Sequence, residues 1–87
     1  MTQLIREHST HVRTSDGQRY RARTYGKPEP DGTWIGWVEF VPADMSGPVL
    51  RTGHETSQAS REALESWASG LESAYFQGAF ERARLVE

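Results

Sequence analysis

The chain has 87 residues, a net charge of −2 and no cysteine, which points to one domain near the lower limit of what a single core stabilises and excludes a disulfide scaffold or a thiolate zinc site. No apolar run approaches the about 20 residues of a membrane span, and Met1 to Glu7 lacks the layout of a signal peptide, so a soluble, cytoplasmic, unprocessed protein with no membrane partner is expected. The charge is uneven: residues 1–27 hold six cations, Arg6, Arg13, Arg19, Arg21, Arg23 and Lys27, against Glu7 and Asp16, whereas the remainder holds four arginines against ten carboxylates.

Residues 1–7 carry no strong pattern and are expected to be flexible. From His8 to Tyr25 two polar, β-prone runs flank Ser15-Asp16-Gly17-Gln18, whose Asp-Gly pair suits a hairpin turn. In the second arm Arg19, Arg21 and Arg23 alternate with Tyr20 and Ala22, so a period of two puts the three guanidinium groups on one face. Gly26 to Gly32 contains two prolines and an Asp-Gly pair and reads as a loop. The third strand, Thr33 to Val41, places Trp34, Gly36, Val38 and Phe40 on one face and Ile35, Trp37, Glu39 and Val41 on the other. Val38 and Phe40 are expected beneath the helical layer, with Ile35 and Trp37 on the open side. Pro42 to Pro48 ends this strand, and Val49 to Thr52 reads as a short edge strand.

After Glu55 the period becomes helical, with Leu64, Trp67, Leu71, Ala74, Tyr75 and Gly78 at three- and four-residue steps. Thr56 or Ser57 is the expected N-cap. One helix over Ser57 to Arg84 would measure about 40 Å at 1.5 Å per residue, longer than a strand of about 27 Å. A kink or break near Gly70 is therefore expected, with Ser69-Gly70-Leu71-Glu72 as a capping box. The fold class that follows is α+β: an antiparallel sheet of three to four strands over residues 8–54, packed on one face by a long, kinked C-terminal helix over residues 56–84.

Few residues suggest chemistry. His8 and His11, three apart on a strand, point to opposite faces, and with His54 and Glu55 elsewhere no metal site is expected. Asp31, Glu39, Asp44 and Glu55 lie in or beside loops, where carboxylates serve as turn formers and caps. With no nucleophile-base motif, no phosphate loop and no metal cluster, neither an enzyme nor a cofactor is expected.

Two surfaces are candidates for binding instead. The outer sheet face would gather Arg19, Arg21 and Arg23 beside Ile35 and Trp37, cations beside rings, as in single-strand nucleic-acid or acidic-peptide recognition. The same groups also make an ordinary amphipathic surface, with arginine stems over the Trp. The second candidate is a helix stripe of Phe76, Phe80 and Ala83, offset from the Leu64 face. Either the C-terminal segment folds back to cover it, or it serves a partner or a homodimer. A protein partner or self-association is favoured over nucleic acid, because a dedicated nucleic-acid binder is usually basic overall.

Tyr20 to Ala22, the turn Asp31-Gly32, the strand ending at Phe40 before Pro42, Asp44 and Gly47, and Thr52-Gly53-His54-Glu55-Thr56 leading to a helix with Glu62-Ala63 together resemble the small domain of HicB-like antitoxins. The likeness spans Tyr20 to Leu71. It implies binding a small toxin ribonuclease and covering its site without catalysis. No helix-turn-helix or ribbon-helix-helix follows, so the likeness does not extend to DNA binding, and a separate small bacterial family is the expected home. The element order also fits double-stranded-RNA-binding folds, whose loop lysines are missing here, Lys27 being the only lysine. The expected function is thus a small non-catalytic interaction domain, antitoxin-like in binding a protein, with nucleic-acid binding through Arg19, Arg21 and Arg23 as the alternative.

Overall fold

A computed structural model describes residues 1–86. It is an α+β fold in which strands β1 (Gln3–Arg13), β2 (Arg19–Pro28), β3 (Trp34–Pro42), β4 (Leu50–Arg51), β5 (Thr56–Gln58) and β6 (Arg84–Leu85) form one sheet with helices α1 (Arg61–Ser69) and α2 (Ser73–Arg82) against it. All pairings are antiparallel, in the order β1-β2-β3-β4-β6, with β5 beside the first half of β3.

The β1–β2 hairpin turns where Asp-Gly predicts it, with Gly17 at φ +89°. Asp16 accepts hydrogen bonds from the Thr14 hydroxyl and the Gln18 amide. The second turn uses Gly32 at φ +90°, and Asp31 accepts from the amide and hydroxyl of Thr33. Both glycines hold the left-handed conformation that other residues adopt at a cost.

The sheet is larger than its sequence suggests. β1 begins at Gln3, not at His8, because Ile5 is buried against Leu64 and Ala68, and Gln3 accepts a hydrogen bond from Arg61 Nε at 2.9 Å. β2 continues through Gly26 to Pro28, which the proline-rich loop expected there would have cut short; Pro28 stands opposite Trp34 at the end of the pairing. Thr56 to Gln58 is a strand rather than a helix start, since the Trp34–Gly36 edge of β3 pairs with it. The helical layer begins later, where the Ser60 hydroxyl accepts from the Ala63 amide at 3.1 Å. β4 is no edge, because β6 pairs with its far side.

In place of one long kinked helix there are two short ones, divided at Gly70. The expected capping box does not form: Glu72 occupies the N-cap of α2, with no capping bond from its side chain. The break turns α2 onto the second half of the sheet. There Phe76, Ala79 and Ala83 join Val12, Ala22, Val38 and Phe40 in one buried cluster. Phe80 stacks at its rim, 5.0 Å from the Tyr20 ring and 5.2 Å from Phe40 between centroids.

α1 is seated differently. Gly26 and Gly36 stand directly opposite each other in β2 and β3, and both methyls of Leu64 fill the hollow they leave. A methyl at Gly36 would lie 2.6 Å from Leu64 Cδ1, and one at Gly26 would collide with Leu64 Cδ2 and come within 2.9 Å of the Ile35 carbonyl. Gly36→Ala should therefore cost about 1–3 kcal/mol through overpacking and Leu64→Ala about 2–5 kcal/mol through a cavity. In urea denaturation the double variant should lose less than the sum of the two, since the smaller side chain removes the clash; additive losses would separate the two positions.

Candidate functional site

Strand alternation and register fix what the uncovered face of the sheet displays. Five rows cross it. Lys27, Ile35 and Ser57 form the first, and Leu4, Tyr25 and Trp37 the second. Glu7, Arg23, Glu39, Arg51 and Arg84 form the third, His11, Arg21 and Val41 the fourth, and Arg13 and Arg19 the last, beside the hairpin. Its apolar and aromatic groups, Leu4, Tyr25, Ile35 and Trp37, thus gather toward one end beside Lys27 and Ser57, charges of both signs cross the middle, and Arg13 and Arg19 close the other end.

The middle of the face is partly satisfied from within. Glu7 lies 3.4 Å from Arg23 and 3.8 Å from Arg21, and Glu39 accepts a hydrogen bond from Trp37 Nε1 at 3.3 Å. The Arg51 guanidinium lies over the Trp37 ring, 4.5 Å from its centroid, a geometry in which the ring's negative face attracts the cation. Trp37 lies on the open side as expected, yet it is only 3% exposed, because the arginine stems and neighbouring rows cover it. The Nε atoms of Arg21 and Arg23 are turned into the surface, with no partner among the described residues. Arg13 and Arg19 differ from these: no carboxylate of the described residues lies within ion-pair distance of either.

The predicted residues Arg19, Arg21, Arg23, Ile35 and Trp37 therefore do share one face. Sequence reasoning missed that Leu4, Glu7, His11, Arg13 and Arg51 belong to it as well. The alternation of Arg13 with His11 signalled part of this; Leu4 was hidden by bulges in β1 between Leu4 and Arg6 and between Glu7 and His11. The second candidate surface, Phe76, Phe80 and Ala83, faces the sheet, with Phe76 and Ala83 buried in the core. The covering that this stripe required comes from the protein's own strands.

The histidines are not brought together. His8 lies under α2, 4.7 Å from the Phe76 ring, and its Nε2 is 2.7 Å from Thr24 Oγ1. Burial, assisted by the Arg6 charge, pushes its pKa below the ordinary 6.5. His11 sits on the open face, and His54 Nε2 lies 2.9 Å from Ser57 Oγ at the exposed β4–β5 connection. That spacing suits a base beside a nucleophile, but the adjacent carboxylate of Glu55 points elsewhere. Asp31 and Asp44 are likewise occupied by their own turns, Asp44 accepting from the amide and hydroxyl of Ser46.

Glu55 receives two bonds from Arg82, at 2.6 and 3.2 Å, and one from the Tyr75 hydroxyl. Burial alone would raise its pKa, but the bonds from Arg82 and Tyr75, with the charges of Arg82 and His54, outweigh that and hold it below 4.5. Burial and the same carboxylate push Tyr75 upward. This clamp ties α2 to the edge of the sheet.

In comparisons with known proteins, no family model, curated sequence or solved structure matches the chain.

Because the folded pKa of Glu55 is depressed, its stabilisation is present above the unfolded value and lost as pH falls through the folded one. Glu55→Gln should cost about 1.5–3 kcal/mol at neutral pH, the usual range for a hydrogen bond to a charged group. It should also flatten the decline of stability below about pH 4.5, as read by urea midpoints across pH. A decline as steep as in the parent protein would assign the acid limb to other carboxylates.

Proposed function

We propose that this protein is a small non-catalytic interaction domain that binds a partner protein through the open face of its sheet. The observation that supports this reading best is the unlike make-up of the two ends of that face: Arg13 and Arg19, with no ion-pair partner among the described residues, at one, and part-exposed apolar groups at Leu4, Tyr25 and Ile35, beside Lys27, at the other. A face meant only to be solvated would disperse its charges, whereas unlike ends on a single flat surface give a partner both an orientation and a register.

The antitoxin-like reading asks for a different layer. A ribonuclease must present cations to hold RNA phosphates, and a complement here is offered by the exposed carboxylates of the helical layer, Glu62, Glu65, Glu72 and Glu81, of which Glu65 pairs with Arg61 at 3.2 Å. The residues that carry that likeness run from Tyr20 to Leu71 and so include β2 and β3 as well as α1. Nucleic-acid binding, the other reading, draws on the same arginines.

The test is a pull-down compared by mass spectrometry between the parent protein and Arg19→Glu/Arg21→Glu. Both arginines are surface side chains of β2, so the variant should fold with circular dichroism like the parent's. Proteins held by the parent should be lost from the variant. An unchanged set of retained proteins would discard the open face and move attention to the helices.

A further inference from the structure

We infer that the segment received by this face is an extended, acidic polypeptide, with carboxylates over the Arg13–Arg19 end and apolar side chains over Leu4, Tyr25 and Ile35. This rests on the interaction-domain reading above and names the partner's chemistry.

The cationic end is the first support. Arg13 and Arg19 are directly opposed across β1 and β2, and His11 and Arg21 form the neighbouring row. Like charges in register repel each other at cross-strand distance, and a carboxylate entering between them turns that repulsion into two attractions. Guanidinium groups suit this role because their planar forks take carboxylates through paired hydrogen bonds.

The middle row decides the class of partner. Glu7 and Glu39 flank Arg23 between the cationic end and the Tyr25 row. A phosphate backbone running along β2 would pass these two carboxylates with a charge on every unit. A polypeptide can be neutral there and acidic only at its end. The aromatic platform points the same way: single-stranded nucleic acid binds by stacking bases on exposed rings, and Trp37, the largest ring of this face, is 3% exposed beneath Arg51. From Arg19 to Tyr25 the face runs about 20 Å at ~3.4 Å per residue, the reach of about seven extended residues whose alternate side chains point down onto it.

Fluorescence anisotropy at low salt with labelled probes tests this. The first probe is a peptide with glutamates at alternate positions in one half and leucines at alternate positions in the other; the second is its scrambled counterpart; the third is an oligothymidylate of equal charge. The patterned peptide should bind at least about tenfold more tightly than the other two, a difference of about 1.4 kcal/mol. Arg13→Glu/Arg19→Glu should abolish that preference without altering the circular dichroism. Equal or tighter binding of oligothymidylate, equal binding of the scrambled peptide, indifference to the variant, or no binding at all would each overturn the acidic-segment inference. So would self-association in sedimentation that the same variant removes, since a second copy would then occupy the face. If no probe binds while cellular proteins are still lost on Arg19→Glu/Arg21→Glu, the open-face reading stands and only the chemistry assigned to its partner falls.

Discussion

The architecture depends on one close approach: Leu64 lodged in the hollow left by Gly26 and Gly36, paired across β2 and β3. Neither glycine is needed for its backbone conformation there, since neither has positive φ. What matters is the missing Cβ, which lets α1 settle close to the sheet and keeps the small N-terminal cluster of Ile5, Leu64 and Ala68 dry. Because both glycines present their bare side to the helix, they decide which face of the sheet is roofed. Every side chain one residue away, Tyr25, Lys27, Ile35 and Trp37, is thereby assigned to the other face. The open surface is thus a consequence of where Leu64 fits.

The second half of the sheet is covered by different means. α2 brings large rings, Phe76 and Phe80, onto Val38, Phe40 and Tyr20, and here the strands present ordinary side chains instead of glycines. The two halves of the sheet thus meet different helix surfaces, Leu64 against bare glycines in one and large rings against side chains in the other. The division at Gly70 allows this, and the Glu55 clamp on Tyr75 and Arg82 then fixes the angle of the second helix. A half-buried carboxylate bound in this way is costly to leave unpaired, so it favours one docking of α2 over neighbouring ones.

How far the sequence discloses this varies with the kind of signal. Period-two alternation correctly divides β3, with Val38 and Phe40 under the helices and Trp37 on the far side, because both halves of the pattern are long and strongly apolar. The hairpin at Gly17, the turn at Gly32 and the interruption at Gly70 are legible because each rests on local backbone chemistry. The continuation of β2 through Gly26 to Pro28 and the strand Thr56 to Gln58 are not: proline, glycine and polar residues there have weak strand preference, and only pairing with β3 makes them strands. The part of β1 before His8 escapes for another reason, the alternation of this strand being broken twice by bulges. On the candidate surface, β3 and the Arg19–Tyr25 part of β2 are readable residue by residue, but Lys27 and what β1, β4 and β6 add depend on pairing and register, which a single sequence does not display.

A surface whose largest ring is hidden does not gain much affinity from it. Trp37 under Arg51 links β3 to β4, and the Glu7–Arg23 ion pair links β1 to β2, so both serve the free protein. On the proposed reading, binding energy would come from the two ends, where Arg13 and Arg19 have no ion-pair partner among the described residues and Leu4, Tyr25 and Ile35 remain partly uncovered. Exposed charges act mainly on encounter rate and orientation and are screened beyond about 10 Å at 0.1 M salt, while the apolar end acts on residence through the area it buries. On the proposed reading the two ends are therefore complementary in kind: one would find the partner, the other would retain it, and the acidic helices on the opposite side of the sheet would repel the same partner from the wrong face.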